Sequence, residues 1–273
     1  MTKNNEHENL IERFGPQYER YNAPVLREIE QISIGSDYAG TSWTTRAEAD
    51  DIAGRLGLQT GHRLLEVGAG AGWPSLYMVS KTGCEAVLLD LPLAGIQAAI
   101  GRARVDQTSD RVQGFVGDGA HLPFSGPTFD AIHHADVLCC MSDKSGMLQA
   151  CRSIIKPDGK MVFTVIFVAP ELSAAARERA IDHGPPYIAS DAPYVELLAK
   201  SGWLIEHEID LTENYFATAK IVLRELSKRT DALVTLMGQT DFDAKIDRCR
   251  RTIIGLEEGL VRRAMFVVTP ASD

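Results

Sequence analysis

Short apolar segments alternate with amphipathic ones along most of the chain, and this alternation predicts a parallel sheet. Apolar runs bounded by turn residues are typical of strands, whereas apolar positions that recur every three or four residues are typical of helices. The predicted strands are residues 62–67, 86–90, 112–116, 131–134, 161–168, 203–211 and 263–268. The predicted helices among them are residues 46–56, 73–81, 93–105, 144–154 and 193–201. Such strand–helix–strand units connect through right-handed crossovers, so we expect an α/β fold.

The remaining segments predict helices and loops around this sheet. Residues 1–35 are amphipathic and predict helix, with breaks near residues 15–16 and near Pro24. Residues 36–45 are rich in turn formers and predict a loop, and residues 156–159 predict a turn.

Thr45 is expected to cap the helix that follows it, with Glu48 completing a capping box. Residues 170–190 break the alternation, and two long helical stretches are predicted over residues 213–235 and 241–259. We interpret residues 170–190 and 212–258 as a cap over the ligand edge of the sheet. The alternative is that these helices simply pack on a sheet face.

Composition and charge narrow the classes of protein. Hydrophobic residues make up 45% and charged residues 24%, as in globular proteins. The net charge of -9 argues against a general nucleic-acid binder, which needs a clustered basic face. No apolar run reaches the roughly 18–20 residues that span a membrane, and the polar start lacks a signal-peptide core, so we expect a cytoplasmic protein. The five cysteines show no CxxC spacing, which favours free thiols over disulfides or a metal site.

A glycine-rich loop follows the first predicted strand. Gly68, Gly70 and Gly72 alternate with alanines, and glycine is needed where the backbone approaches a ligand closely or adopts positive φ. The dinucleotide fingerprint GxGxxG fails here, because Trp73 and Ser75 stand where its last glycine would be. The loop is therefore a poor match to a pyrophosphate site.

Three acidic residues accompany this loop near the ends of successive strands. Glu66 precedes the glycines, Asp90 ends the second strand and Asp118 follows the third. A carboxylate at Glu66 would repel a pyrophosphate but would attract an ammonium or a sulfonium. An acid at Asp90 can bind both ribose hydroxyls, and one at Asp118 can accept from an adenine amine. Together they indicate a cationic ligand without phosphate.

With these motifs the chain resembles the class I S-adenosylmethionine-dependent methyltransferases. Five motifs over roughly residues 60–170 carry the resemblance in the family's order: LEVGAGAG at 65–72, LD at 89–90, GDGA at 117–120 with LPF at 122–124, FDAI at 129–132 and IKPDG at 155–159. It implies a Rossmann-like, doubly wound, mostly parallel seven-stranded sheet with an antiparallel last strand and a helical cap. The implied division is a helical segment and covering loop over 1–60, a cofactor-binding core over 61–169, and the rest of the sheet with cap helices over 170–273.

The resemblance also implies the residues that contact S-adenosylmethionine. Glu66, Gly68 and Gly70 would line the methionine portion, Asp90 the ribose, and Asp118 with Gly119 the adenine. Leu91 would pack on the adenine ring. The full expected set is Glu66, Gly68, Ala69, Gly70, Gly72, Asp90, Leu91, Asp118, Gly119, Ala120 and Ala135.

The outer segments resemble small-molecule methyltransferases related to phosphoethanolamine, glycine/sarcosine and sterol or quinone enzymes. The matching loop is GSDYAGTSW at 35–43, which makes Tyr38 a candidate contact to substrate or sulfonium, or else a packing residue. Several relatives carry a histidine after the fourth strand where this chain has Cys140, which removes a tyrosine–histidine relay. We therefore consider His134 as a base or as a partner of the methionine ammonium; a histidine merely hydrogen-bonded at a strand end is the alternative.

The function expected from these residues is methyl transfer to O, N or C of a small-molecule acceptor by in-line displacement. A macromolecular acceptor is disfavoured, because a long cap tends to close the site and the chain is acidic. Two other functions stay open: an NAD(P)-dependent Rossmann oxidoreductase, and a non-catalytic S-adenosylmethionine-binding protein. The sequence does not predict the oligomeric state.

Overall fold

Seven strands form one sheet in the order β3-β2-β1-β4-β5-β7-β6 in the computed structural model, which describes residues 3–39 and 41–272. The strands are β1 (Arg63–Val67), β2 (Glu85–Asp90), β3 (Val112–Val116), β4 (Phe129–Ala135), β5 (Ile155–Val168), β6 (Trp203–Asp210) and β7 (Val261–Pro270). The pairs among β1 to β5 are parallel, and β7 runs antiparallel to both β5 and β6. The predicted α/β sheet with an antiparallel last strand is confirmed. Predictions made for residues 1, 2, 40 and 273 lie outside the described residues.

Eleven α-helices surround the sheet in the described part of the chain. They are α1 (Lys3–Glu19), α2 (Pro24–Ile34), α3 (Arg46–Arg55), α4 (Ser75–Thr82), α5 (Leu93–Val105), α6 (Lys144–Ile154), α7 (Ala174–His183), α8 (Tyr194–Lys200), α9 (Thr212–Lys228), α10 (Thr230–Met237) and α11 (Gln239–Glu257). The predicted capping box at α3 is confirmed, since Thr45 Oγ1 accepts from the Glu48 amide at 3.2 Å and Glu48 Oε2 accepts from the Thr45 amide at 3.0 Å.

Three local expectations need correction. The helix break at residues 15–16 is absent, because Pro16 lies inside α1 and the chain turns only before Pro24. The long helix expected over 213–235 is two helices that meet at Arg229. Residues 156–159 lie within β5 rather than in a separate turn. Phe129 of β4 pairs with Ile155, and the next pair joins Ala131 to Lys160. Residues 156–159 of β5 therefore have no partners in β4 and form a bulge.

The order of the strands positions a ligand edge. β1 lies in the middle of the parallel part, with β2 on one side and β4 on the other, so the chain reverses its direction of travel across the sheet at β1. The faces of β1 and β2 are apolar and buried, which is why their sequences read as nearly continuous hydrophobic runs. In such sheets ligands bind beyond the carboxyl ends of the strands at this switch point.

A separate group of helices stands over that edge. Helix α2 packs on α9, and α9 and α10 pack on α11. These helices share a small apolar core of their own, made of Ile29, Leu226, Leu233, Phe242, Ile246 and Cys249. Because side chains from α9 and α11 line the same cavity as the strand ends, these helices act as a cap. None of the helices in residues 3–39 and 41–272 is long and apolar enough to cross a lipid bilayer.

Candidate functional site

A cavity of about 510 Å³ lies between the carboxyl ends of the strands and the cap helices. This volume falls within the range of small-molecule and cofactor sites. One wall is built from the glycine loop, Asp90, Asp118 and the residues that follow β4. The opposite wall comes from α1, α2, α9, α10 and α11. The cavity therefore joins the expected cofactor edge to a second lobe under the helices.

The glycine loop forms the floor of the cofactor edge. Gly68 has φ +72° and Gly70 has φ +51°, in the left-handed region that favours glycine. A methyl group at Gly68 would overlap Val137 Cγ2, and one at Gly70 would lie 3.0 Å from Tyr18 Oη. Hydrogen bonds from the Gly68 amide to Leu89 O at 2.7 Å, and from the Gly70 amide to Asp90, tie the loop to the end of β2. These hydrogen bonds hold the glycine loop in place, and there is no space for a side chain at Gly68 or Gly70.

Asp90 is the most enclosed carboxylate of the cavity wall. Only 8% of the residue is exposed. Its Oδ2 accepts from the Gly70 amide at 2.5 Å and its Oδ1 from the Leu91 amide at 2.7 Å. Burial raises the pKa of Asp90 to about 6, even though these two amides act in the opposite direction. Each oxygen keeps a free lone pair, so the carboxylate can accept from two neighbouring hydroxyl groups.

Asp118 borders the cavity on the side of β3. It accepts from the Ala120 amide at 2.9 Å and lies 2.7 Å from His121 Nδ1 and 3.3 Å from His7 Nε2. Burial raises its pKa, but the Ala120 amide and the two histidines outweigh that effect, so the pKa lies below its ordinary value. Helix α1, which carries His7, therefore reaches across this edge of the site.

Glu66 does not reach the cavity. Its side chain is buried between β1 and the start of α4, with only 1% of the residue exposed, and its Oε2 has no hydrogen-bond partner among the described residues. Burial raises the pKa of Glu66 to about 8, although Ser75 opposes this shift. Gly72 and Ala120 do not line the cavity either, because Gly72 packs against Leu76 and Ala120 packs against the hydrophobic core. The other eight residues of the expected cofactor set line the cavity.

His134 is not at the cavity, which corrects the expectation that it faces the reacting groups. It is fully buried, its ring stacks on Phe163 at 4.6 Å, and neither ring nitrogen has a partner among the described residues. Burial holds its pKa well below the ordinary value, so the ring is neutral. The physical reason is the length of β4, which continues to Ala135, so that Ala135 and Asp136 occupy the edge. His133 is equally buried and contacts Val162 O.

Tyr38 also lies outside the cavity. Its hydroxyl donates to Asp106 Oδ2 at 2.7 Å, its ring lies 5.5 Å from that of Trp73, and the Arg102 guanidinium stands over the ring at 4.1 Å. Burial raises its pKa far above the ordinary value. Tyr38 therefore fastens the loop before α3 to α5. The expectation that it contacts the substrate does not fit this placement.

Tyr18 and Asp136 also line the cavity, although no sequence motif predicted them as site residues. Tyr18 lies in α1 and presses its buried phenol onto the glycine loop beside Asp90, and burial together with Asp90 raises its pKa. Asp136 lines the cavity with φ +55°, rare for a residue other than glycine. The only available signal was Arg263, a charged residue inside the apolar run of β7.

Arg263 joins Asp136 to the rest of the protein. It is fully buried, its Nε lies 3.1 Å from both carboxylate oxygens of Asp136, and its Nη1 lies 3.1 Å from both oxygens of Glu48. Its Nη2 donates to Thr164 Oγ1 at 3.2 Å. A network of one cation and two carboxylates therefore holds the loop after β4 against α3.

Comparisons with known proteins agree with this geometry. A family model described as a methyltransferase domain matches residues 65–163. The chain is similar to the methyltransferase GfsG of Streptomyces halstedii, with 25% identity over 68% of this chain and 66% of that protein. It is also similar to phosphoethanolamine N-methyltransferase 1 of Zea mays, with 23% identity over 92% of this chain and 49% of that protein. The chain thus spans about half the length of the maize protein.

A solved structure shares the fold. It is phosphoethanolamine N-methyltransferase 2 of Haemonchus contortus, in complex with phosphomonomethylethanolamine and S-adenosylhomocysteine. The TM-score is 0.76 at 18% identity, over 95% of this chain and 60% of that one. The glycine loop that no side chain can fill and the carboxylates Asp90 and Asp118 all lie within the matched segment, so residues 65–163 of the chain belong to the methyltransferase domain family.

Proposed function

We propose that this protein transfers a methyl group from S-adenosylmethionine to an oxygen, nitrogen or carbon atom of a small-molecule acceptor. The observation that carries the proposal is one continuous cavity that runs from the glycine loop and Asp90 to the lobe between α1 and α11. A cofactor at one end of this cavity and an acceptor at the other would meet inside the protein, away from bulk water.

The cofactor end has the donors and acceptors that S-adenosylmethionine requires. We infer that Gly68 and Gly70 border the methionine portion and that Asp90 accepts both ribose hydroxyls. Leu91 would pack on the adenine, and Asp118 would accept from its amine. The position of these residues along one wall of the cavity supports the assignment.

The acceptor end acts mainly by positioning. When bound, S-adenosylmethionine supplies a methyl group on a sulfonium, which is already a good leaving group. The remaining task is to hold the acceptor atom in line, and such orientation alone can supply a large share of a rate enhancement. Neither His133 nor His134 reaches the cavity, so no histidine of β4 serves as base. Acceptors with a free lone pair suit such a site best.

Calorimetric titration tests the cofactor half of the proposal. S-adenosylhomocysteine and S-adenosylmethionine should bind, whereas NAD should not. Asp90→Asn and Asp118→Asn should each weaken S-adenosylhomocysteine binding about tenfold, which corresponds to about 1.4 kcal/mol. Asp110→Asn is the matched control, because that carboxylate is largely exposed and lies outside the cavity. Tight binding of NAD with no binding of S-adenosylhomocysteine would refute the proposal.

Turnover tests the catalytic half. Formation of S-adenosylhomocysteine is measured with panels of small acceptors that carry hydroxyl, amine or activated carbon groups. We expect at least one panel member to raise S-adenosylhomocysteine production above the acceptor-free rate, with the methyl group found on the acceptor by mass spectrometry. Cofactor binding without turnover on any acceptor would favour a non-catalytic binding protein instead.

A further inference from the structure

We propose that the acceptor carries an anionic group, a carboxylate or a phosphate, which Arg13, Lys245 and Arg248 bind at the helical end of the cavity. This inference rests on the proposed function, since it names the class of molecule that the acceptor lobe receives. Arg13 belongs to α1, and Lys245 and Arg248 belong to α11. All three side chains line the cavity.

The two cations of α11 are three residues apart, so they lie on the same face of the helix. Arg13 faces them from α1, and its charge is close enough to lower the pKa of Arg248. The cluster thus spans the two helices that enclose the lobe. A ligand held between them would contact both walls at once.

None of the three cationic groups has an ion-pair partner within the described residues. Arg13 Nε is buried and lacks any hydrogen-bond acceptor there. By contrast, the fourth cation of this wall, Arg20, is paired with Asp241 at 3.2 Å. Unpaired guanidinium and ammonium groups that face a cavity from two sides form a ready site for an oxyanion.

The acidic residues of the cavity differ from these cations, because nearly all of them form hydrogen bonds or ion pairs with other residues of the protein. Their partners are the Ser142 amide and hydroxyl for Glu6, the Ala39 and Thr41 amides for Glu30, Arg20 for Asp241, His7 and His121 for Asp118, the Gly70 and Leu91 amides for Asp90, and Arg263 for Asp136. Glu12 is the exception, and its side chain is exposed. The acceptor lobe therefore contains three cations without an ion-pair partner, whereas most of its carboxylates already have partners within the protein.

The electrostatics of the cluster favour the binding of an anion. Burial, and then the charge of Arg13, lower the pKa of Arg248. Burial also lowers the pKa of Lys245, with Cys249 and Glu30 acting in the opposite direction and Arg248 adding to the shift. Both side chains remain accessible to solvent although protein surrounds them, as expected of groups that face a cavity. A bound oxyanion would relieve this mutual repulsion.

Apolar side chains line the same cavity as the three cations. They come from α1, α2, α9 and α10, and include Leu10, Phe14, Leu26, Val222, Leu226 and Met237. A small inorganic anion would leave this surface in contact with water. An anionic group attached to an apolar skeleton would cover it and gain about 25 cal/mol per Å² of buried apolar area. The lobe is therefore suited to an amphiphilic organic anion.

Titration of the full chain saturated with S-adenosylhomocysteine tests this inference. The probes are hexanoate, hexyl phosphate, hexanol and hexyltrimethylammonium at matched ionic strength. At least one anion should bind at least tenfold more tightly than hexanol and the cation. The better of hexanoate and hexyl phosphate distinguishes a carboxylate from a phosphate. Equal binding of hexanol, or preference for the cation, would overturn the inference.

Variants locate the site. Arg13→Gln, Lys245→Gln and Arg248→Gln should each weaken the preferred anion about tenfold while S-adenosylhomocysteine affinity stays the same. The matched control is Arg250→Gln, because Arg250 is exposed on the same helix and does not line the cavity. Unchanged anion binding in all three variants, or an equal loss in Arg250→Gln, would refute the assignment.

The two proposals fail separately. If S-adenosylhomocysteine binds and no anion does, the anionic acceptor is wrong and the cofactor site stands. If S-adenosylhomocysteine does not bind, the proposed function fails. The same anion titration on the cofactor-free chain then still decides whether the three cations form a site.

Discussion

Replacement of Arg263 by methionine should destabilise the protein more than any surface change. The guanidinium is fully buried and is shared by Glu48 and Asp136, which are themselves nearly buried. Methionine keeps much of the volume and removes the charge, so two carboxylates lose their common partner. Removal of one partner of a buried ion pair costs about 3–5 kcal/mol, because the remaining charge is left without compensation.

The expected shift in melting temperature follows from this range. For a protein of about this size, 1 kcal/mol corresponds to roughly 2–4 °C, so Arg263→Met should melt about 6–20 °C lower. Urea unfolding followed by tryptophan fluorescence, together with calorimetry, measures the loss. Adding Glu48→Gln to Arg263→Met should restore part of the stability, because it removes one of the two unpaired charges.

Arg262→Met is the matched control. Arg262 is the neighbouring residue of β7, its side chain is exposed, and its replacement should change stability by no more than about 0.5 kcal/mol. If Arg263→Met lost less than about 1 kcal/mol, or no more than Arg262→Met, the network would not stabilise the fold as we argue.

Three further outcomes are expected. Gly68→Ala should abolish S-adenosylhomocysteine binding, because the added methyl group overlaps Val137. Gly57 has a similar positive φ but open space around it, so Gly57→Ala should lower stability by about 1–2 kcal/mol and leave binding intact. Equal effects of the two variants on binding would contradict the steric explanation. The contribution of Glu66 to stability should fall as pH rises from about 4.5 to 8, because Glu66 releases its proton more readily when unfolded. The stability of the original protein relative to Glu66→Gln, measured by urea unfolding, should therefore decline by a few kcal/mol over that range. Tyr38→Phe should lower stability by about 1.5–3 kcal/mol, because the hydrogen bond to Asp106 is lost, and kcat should not change. A loss of kcat without a loss of stability would indicate that Tyr38 takes part in the reaction.

The parallel sheet and most of the cofactor edge were predictable because their signals are local. An apolar strand followed by glycines specifies where the backbone turns, and an acid at the next strand end specifies the edge of a parallel sheet. Asp90 and Gly70 therefore lie where the sequence predicted them, joined by a hydrogen bond between residues twenty positions apart.

The helical half could not be predicted in the same way, because its residues meet through tertiary packing. Arg13 and Arg248 are ordinary surface-type residues in sequence, and only the packing of α11 across the strand ends gives them a common cavity. His134 shows that an error of one residue in a strand boundary changes the predicted site. β4 is one residue longer than predicted, so Ala135 lies at the edge and the His134 imidazole lies inside the core. Pro16 was expected to end a helix, but Tyr18 is buried against the glycine loop and α1 continues through it.

The Arg263 network also determines which parts of the chain can fold first during synthesis. Glu48 precedes Arg263 by 215 residues and Asp136 precedes it by 127, so both carboxylates leave the ribosome long before their partner. β7 must insert between β5 and β6, and until it does, β6 has no neighbour in the sheet. Contacts of such long sequence separation form slowly. The nascent chain therefore fixes the loop after β4 among its last folding steps, and only the finished sheet holds Asp136 in its place at the cavity.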